Sequence, residues 1–214
     1  MSLLLCAATR FEIQPIVDFI RRENIPGVEV LITGIGLTAA TYSLTKAVAF
    51  QRPGFLLQAG IGGCLDASRE LGSVVSVRKE FIGDLGVEEG GRFKSLFDLQ
   101  LLDAGTPPWT GSALPNTAEA LARAGLPVVD GVTVNEISTH PARIEACRQK
   151  GAVVESMEGA ALHYVGLMEK IPFLQIRSLS NFAGERDKSK WAMRASIDHL
   201  NQELEHILLN LLHQ

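Results

Sequence analysis

Short apolar runs and longer helix-patterned stretches alternate along this chain. Leu3–Ala8, Val28–Thr33, Phe55–Ala59, Ser73–Glu80, Pro127–Val134, Gly151–Ser156 and Pro172–Ser180 are rich in β-branched residues and lack strict apolar/polar alternation. That pattern predicts strands covered on both faces. Between the runs, Phe11–Glu23 places Ile13, Ile16, Val17 and Ile20 at helical spacing and stops before Pro26, and the Ala-rich Thr38–Phe50 stops before Pro53. Shorter helices are predicted at Thr117–Ala124 and at Ala142–Lys150, where Pro141 sits at a tolerated first-turn position. Met157–Lys170 reads as a central apolar helix and Lys190–His213 as a terminal one. Strands alternating with helices, without a composition break, predict one three-layer α/β domain spanning residues 1–214. The Gly-, Asp- and Pro-rich Gly83–Gly111 fits neither pattern and is expected to be a long excursion near the sheet edge.

Composition narrows the class. With 46% hydrophobic residues in 214, the chain can bury a sizeable core. The net charge of −4 includes no basic cluster, so nucleic acid is not an expected partner. Cys6, Cys64 and Cys147 are far apart, without metal or redox spacing, and read as buried hydrophobes of a reducing compartment. The opening run is too brief for a signal peptide, and no stretch is long enough to cross a bilayer. The expected location is cytoplasmic, with no membrane partner.

Several segments carry candidate chemistry. Gly34-x-Gly36-x-x-Ala39 matches a dinucleotide fingerprint superficially, but the next strand ends in Gln58 and Ala59 with no acidic residue for a ribose. Close helix–strand packing through glycines is the expected role. Gly60, Gly62 and Gly63 after the third strand would let a ligand approach the backbone, or would make an ordinary strand-to-loop turn. Glu12 lies just past the first strand, where a helix dipole favours a carboxylate and where open α/β sheets bind ligands. A carboxylate in such a crevice can act as a general base on water. Ser156-Met157-Glu158 joins a buried strand to an apolar helix, and Glu158 has no partner nearby in sequence. Burying that carboxylate requires donors, which a pair of sugar hydroxyls would supply. His199, His206 and His213 recur every seven residues, a solvated or subunit-facing stripe rather than metal-ligand spacing, and His163 reads as a core or interface histidine. Asn181 follows Arg177 and a polar run at the end of an apolar strand. Arg177 is expected in a buried ion pair.

Taken together, "TRFEIQ", "ITGIGLTAA", "QAGIGGC", "ESMEGAA" and "IRSLSNFAG" resemble, in order and spacing, the nucleoside phosphorylase and nucleosidase superfamily, from Leu3 to about Phe182. Within it, "ESMEGAALHYV", "PFLQIRSLSN" and "ERDKSKW" resemble the futalosine hydrolase family. The resemblance implies a three-layer αβα sandwich with a central mixed sheet, a homodimer or larger homo-oligomer, and no metal or organic cofactor. Glu12 then matches the carboxylate that activates water at the anomeric carbon. Met157 and Glu158 match a pair whose glutamate binds the ribose 2′ and 3′ hydroxyls, and Asn181 matches the position facing the purine.

The glycine loop offers Ile61 and Gly62 but no arginine, so hydrolysis is expected rather than phosphorolysis. Adenine-releasing relatives carry Asp at the position of Asn181. An asparagine can donate to a 6-oxo group and accept from protonated N7, which favours a 6-oxopurine such as hypoxanthine. The base is expected against Val132–Ile137, with Asn135 as a polar contact. The futalosine side chain ends in a benzoate, for which Arg186 or Lys188 could supply a cation, or these could form a solvated cluster. The alternatives are a methylthioadenosine/S-adenosylhomocysteine nucleosidase, a purine nucleoside phosphorylase, or a nucleoside-binding protein without turnover.

Overall fold

A computed structural model describes residues 2–212. The elements in chain order are β1 (Leu3–Ala7), α1 (Arg10–Arg22), β2 (Val28–Ile32), α2 (Leu37–Gln51), β3 (Phe55–Cys64), β4 (Val74–Ile82), β5 (Gly86–Glu89), β6 (Arg92–Ser95) and β7 (Leu114–Pro115). They continue with α3 (Ala118–Ala122), β8 (Val128–Thr133), α4 (Pro141–Gln149), β9 (Ala152–Ser156), α5 (Gly159–Glu169), β10 (Phe173–Phe182) and α6 (Met193–Leu212). His213, the last of the heptad-spaced histidines, lies outside the described residues. His199 and His206 are exposed, and His199 Nδ1 lies 2.9 Å from the Gly72 carbonyl.

The central sheet is mixed, in the order β10-β4-β8-β9-β3-β1-β2, and it closes because β10 also pairs with β3. Five strands, β3, β9, β8, β4 and β10, therefore form a closed ring, with β1 and β2 extending from one edge of β3. Cys64, Val75, Val77, Val129, Val154 and Leu179, drawn from all five, form the apolar filling of that ring. Helices α1 and α6 cover one face through Ile13, Ile16, Val17, Leu200 and Leu204, which pack on Leu5, Leu57 and Ile176. Helices α2 and α5 cover the other through Leu44, Val48, Leu162 and Val165, against Leu4 and Leu56. Each such fully buried side chain contributes about 1.5–3 kcal/mol of transfer free energy. The expected αβα arrangement with a mixed sheet is the one observed.

β3 runs well past the end the pattern predicts, and β4 and β10 each run two residues further. β3 continues through Gly60–Cys64, because β10 pairs with it from Leu56 to Cys64. The glycines expected in a loop are therefore strand residues. β10, expected over Pro172–Ser180, carries Arg177, Ser178 and Ser180 inside the sheet, all buried. The excursion at 83–111 contains a separate β5–β6 hairpin and folds onto α5, where Trp109 stacks edge-on between Phe97 and Tyr164. Cys6, Cys64 and Cys147 are buried free thiols, and burial pushes Cys6 up to about 12.

Candidate active site

The site follows from how β3 divides one of its edges. Phe55–Gln58 pair with β1, Gly63–Cys64 pair with β9, and the stretch between has no strand on that side. Ligand sites in α/β sheets form where neighbouring connections diverge in this way. A cavity of about 280 Å³ opens here, lined by Glu12, Ile61, Gly62, Met157, Glu158 and Asn181 among others. Six of the seven site residues expected from sequence thus meet in one place. Asn135 does not: its N–H and side-chain amide are held by Asp84, and Val134 and Ile137 flank the cavity instead.

Glu12 occupies the first turn of α1 and is only 7% exposed. Its Oε2 accepts from the Thr9 N–H and hydroxyl at 3.0 and 2.7 Å, and its Oε1 accepts from the Ile61 N–H at 3.1 Å. One lone pair on Oε1 is left for a ligand or water. The turn is fixed from behind by Asn201 of α6. Its amide donates to the Glu12 carbonyl (2.9 Å) and accepts from the Ile16 N–H (3.0 Å), bridging two groups that an unbroken helix would join directly. Pro15, inside this helix, has no N–H to give the Phe11 carbonyl, so the first turns of α1 gain from this outside support.

Glu158 caps α5 directly after β9. Its Oε1 accepts from the Gly36 N–H at 2.9 Å, and its Oε2 lies 3.8 Å from Arg177 Nη1. The Gly34-x-Gly36 turn therefore presents an amide to a carboxylate of the site. Gly34 packs as expected, since a Cβ there would lie 3.3 Å from that of Ala39. Arg177 is 1% exposed, donates to Gln58 Oε1 at 2.9 Å and forms the expected buried ion pair with Glu158 at a loose distance. Gly60 gives it room: a Cβ there would meet both the Arg177 guanidinium and Glu12 Oε1. The buried cation thus pairs with Glu158 and lies across the Gly60 backbone from Glu12.

A second layer of buried polar groups lies beneath. Thr133 Oγ1 accepts from the Ala160 N–H at 2.8 Å, which steadies the start of α5, and donates to Glu80 Oε2 at 3.1 Å. Gln175 donates to Glu80 Oε1 at 2.7 Å. Burial pushes the Glu80 carboxyl up to about 7 and His163 down to about 4. His163 is the core histidine expected, with Nδ1 2.8 Å from the Leu114 carbonyl.

Asn181 lies on β10 opposite Gly63 of β3. Its Oδ1 accepts from the Ser180 hydroxyl and its amide donates to the Phe182 carbonyl, leaving one N–H and one lone pair for a ligand. Arg186 is the cation among the described residues lining the cavity, its guanidinium 5.6 Å from the Trp191 ring centroid. Lys188 is exposed in a short 3-10 turn outside the lining. Among the described residues, no group of three His, Cys, Asp or Glu side chains is gathered to hold a metal.

Gly36, Gln58, Arg177, Asn201 and the Glu80 layer escaped sequence reasoning as site components, since their partners are distant in sequence. The one local signal was an arginine inside an apolar strand.

The family model of the phosphorylase superfamily matches residues 10–213. The futalosine hydrolase of Thermus thermophilus is 31% identical over 193 residues, covering 85% of this chain and 81% of that one. The 5′-methylthioadenosine/S-adenosylhomocysteine nucleosidase of Psychromonas ingrahamii is 25% identical over 196 residues, 88% and 84% of the two chains. A solved structure of a Helicobacter pylori futalosine hydrolase mutant superposes with a TM-score of 0.79 at 18% identity, covering 97% of this chain and 98% of that one.

Proposed function

This chain belongs to the phosphorylase superfamily, and on that premise we propose that it hydrolyses the N-glycosidic bond of futalosine, releasing hypoxanthine and dehypoxanthine futalosine for menaquinone biosynthesis. The observation that carries the reading is the meeting of Glu12, Glu158 and Asn181 in one cavity over the unpaired stretch of β3. As the bond loosens, the ribosyl group gains positive charge and the purine negative charge. Glu158 accepts from the ribose hydroxyls and favours the cation. Glu12, with its remaining Oε1 lone pair, takes a proton from the attacking water. Asn181 donates to the developing charge on the base. Gly62 and Met157 shape the walls, and the Ile61 N–H orients Glu12.

Hydrolysis is favoured over phosphorolysis because the walls around Glu12 and Glu158 carry no exposed arginine; Arg186 sits on the Trp191 side. There it is suited to the benzoate of the substrate. We read the chain as one catalytic domain that forms a homodimer or larger homo-oligomer. Support comes from large exposed apolar side chains, Phe11 and Ile35 at the cavity mouth and Tyr42 and Phe50 on α2. A cytoplasmic location is supported by three unpaired, buried thiols. No described helix is long and apolar enough to cross a membrane.

The test is to incubate the protein with futalosine, methylthioadenosine and inosine, with and without phosphate, and identify the free base. Hypoxanthine from futalosine without phosphate is the expected result. Adenine from methylthioadenosine with futalosine untouched, or a strict phosphate requirement, would sink it.

A further inference from the structure

Glu155 of β9 is a carboxylate that the proposed reaction leaves without a role. It lines the cavity, yet it is only 6% exposed. Its Oε1 accepts from the Ser138 N–H at 3.1 Å, while its Oε2 is shielded from solvent and has no hydrogen-bond partner among the described residues. An orphaned, buried carboxylate oxygen costs free energy unless something supplies a donor.

The sheet register shows where that donor would come from. Glu155 pairs with Gly63 of β3, and Gly63 pairs with Asn181 of β10. Directly paired residues project to the same face, so Glu155 and Asn181 stand on either side of a glycine floor, two strand spacings or about 10 Å apart. A Cβ on Gly63 would point toward the Asn181 amide, whereas one on Gly62 would strike Val154, part of the apolar filling of the ring. The Gly63 face is therefore the outward, ligand-bearing one, flanked by Val134 and Ile137.

We propose that Glu155 is a specificity-determining residue that accepts a hydrogen bond from the ring N1–H of a 6-oxopurine whose other edge faces Asn181. This rests on the nucleosidase reading and sharpens it. A 6-oxopurine carries a donor at N1, which satisfies a carboxylate; adenine carries a lone pair there, which a carboxylate repels. A site whose buried acceptor is left unpaired rejects the wrong base. Asn181, held by Ser180 and Phe182, offers the 6-oxo group and N7 one donor and one acceptor, and Glu155 adds at N1 a carboxylate that can only accept.

The experiment is to measure binding of hypoxanthine, 1-methylhypoxanthine and adenine by calorimetry to the wild type and to Glu155→Gln. The glutamine keeps an oxygen for the Ser138 N–H but places an NH₂ where Oε2 stands, so a role confined to holding that loop would leave base preference unchanged. The wild type is expected to bind 1-methylhypoxanthine at least about tenfold more weakly than hypoxanthine. In Glu155→Gln the preference for hypoxanthine over adenine is expected to fall by about tenfold or more. Equal wild-type affinity for hypoxanthine and its 1-methyl derivative, tighter wild-type binding of adenine, or an unchanged preference in a folded Glu155→Gln would each overturn the assignment. If the variant does not fold, the wild-type comparison decides alone. The predicted base selectivity without release of base from futalosine would uphold Glu155 and refute the hydrolase reading. Futalosine hydrolysis with unaltered selectivity in the variant would do the opposite.

Discussion

Glu12, Gly60, Asn181 and Arg186 carry predictions that separate binding from turnover. Glu12→Gln keeps an acceptor for the Thr9 donors, sets its NH₂ against the Ile61 N–H and takes no proton, so kcat should fall about 10²–10⁴-fold with substrate affinity nearly unchanged. Full activity in stopped assays of that variant would remove Glu12 from the mechanism. Asn181→Ala should cost on the order of 10²–10³ in kcat by removing a donor to the departing base. Gly60→Ala inserts a methyl between the Arg177 guanidinium and Glu12 Oε1. The displaced carboxylate should lower kcat about a hundredfold, and kinetics as in the wild type would show that the pair has room to give. Arg186→Ala should raise KM for futalosine about three- to tenfold, since its partner would be held at an exposed position. A substrate lacking the terminal carboxylate should show no such change. Glu12, Met157, Glu158 and Asn181 were legible in the sequence because each lies at or just past the C-terminal end of a strand, where α/β sheets bind ligands. Glu155 was not, since its signal is a missing hydrogen-bond partner, which only three-dimensional neighbours reveal.

Among the elements, the strands and helices showed through wherever apolar periodicity was strong, from β1 through α2 and from β8 through α6. The excursion did not, because the β5–β6 hairpin is mostly exposed and carries little apolar pattern. The length of β3 was misread for a different reason. Glycines and polar residues usually end strands, but here Gly60, Gly62 and Gly63 make space for Arg177, Val154 and the cavity while the ladder continues. The α1–α6 contact was also invisible, since Asn201 lies 189 residues from the carbonyl it serves. Asn201→Leu should leave the Ile16 N–H and the Glu12 and Ile197 carbonyls without their side-chain partner, lowering stability by about 1–3 kcal/mol in urea unfolding. It should also lower kcat more than it raises KM, because the turn it supports carries Glu12. A loss of stability with unaltered kcat would confine Asn201 to a structural part.

Over the whole molecule, stability should respond to pH through the buried layer beneath the site. Burial raises Glu80 from 4.5 to about 7, so its stabilising contribution is complete below 4.5 and is lost as pH rises through 7. Burial lowers His163 from 6.5 to about 4, so its contribution is complete above 6.5 and is lost as pH falls through 4. Between 4.5 and 6.5 the two slopes oppose each other. Glu80→Gln should therefore uncover a stability that rises with pH across that window, by up to about 1.4 kcal/mol per pH unit. A pH profile of urea midpoints identical to that of the wild type would show that Glu80 does not titrate there. The divided edge of β3 has its own consequence for the chain's motions. Ile61 gives its N–H to the Glu12 carboxylate in the gap where β3 has no strand on that side. That amide should exchange with deuterium faster than those of Leu56 and Leu57, and slow when a nucleoside closes the gap. The protein thus carries, in a single backbone proton, a native gauge of whether its site is filled.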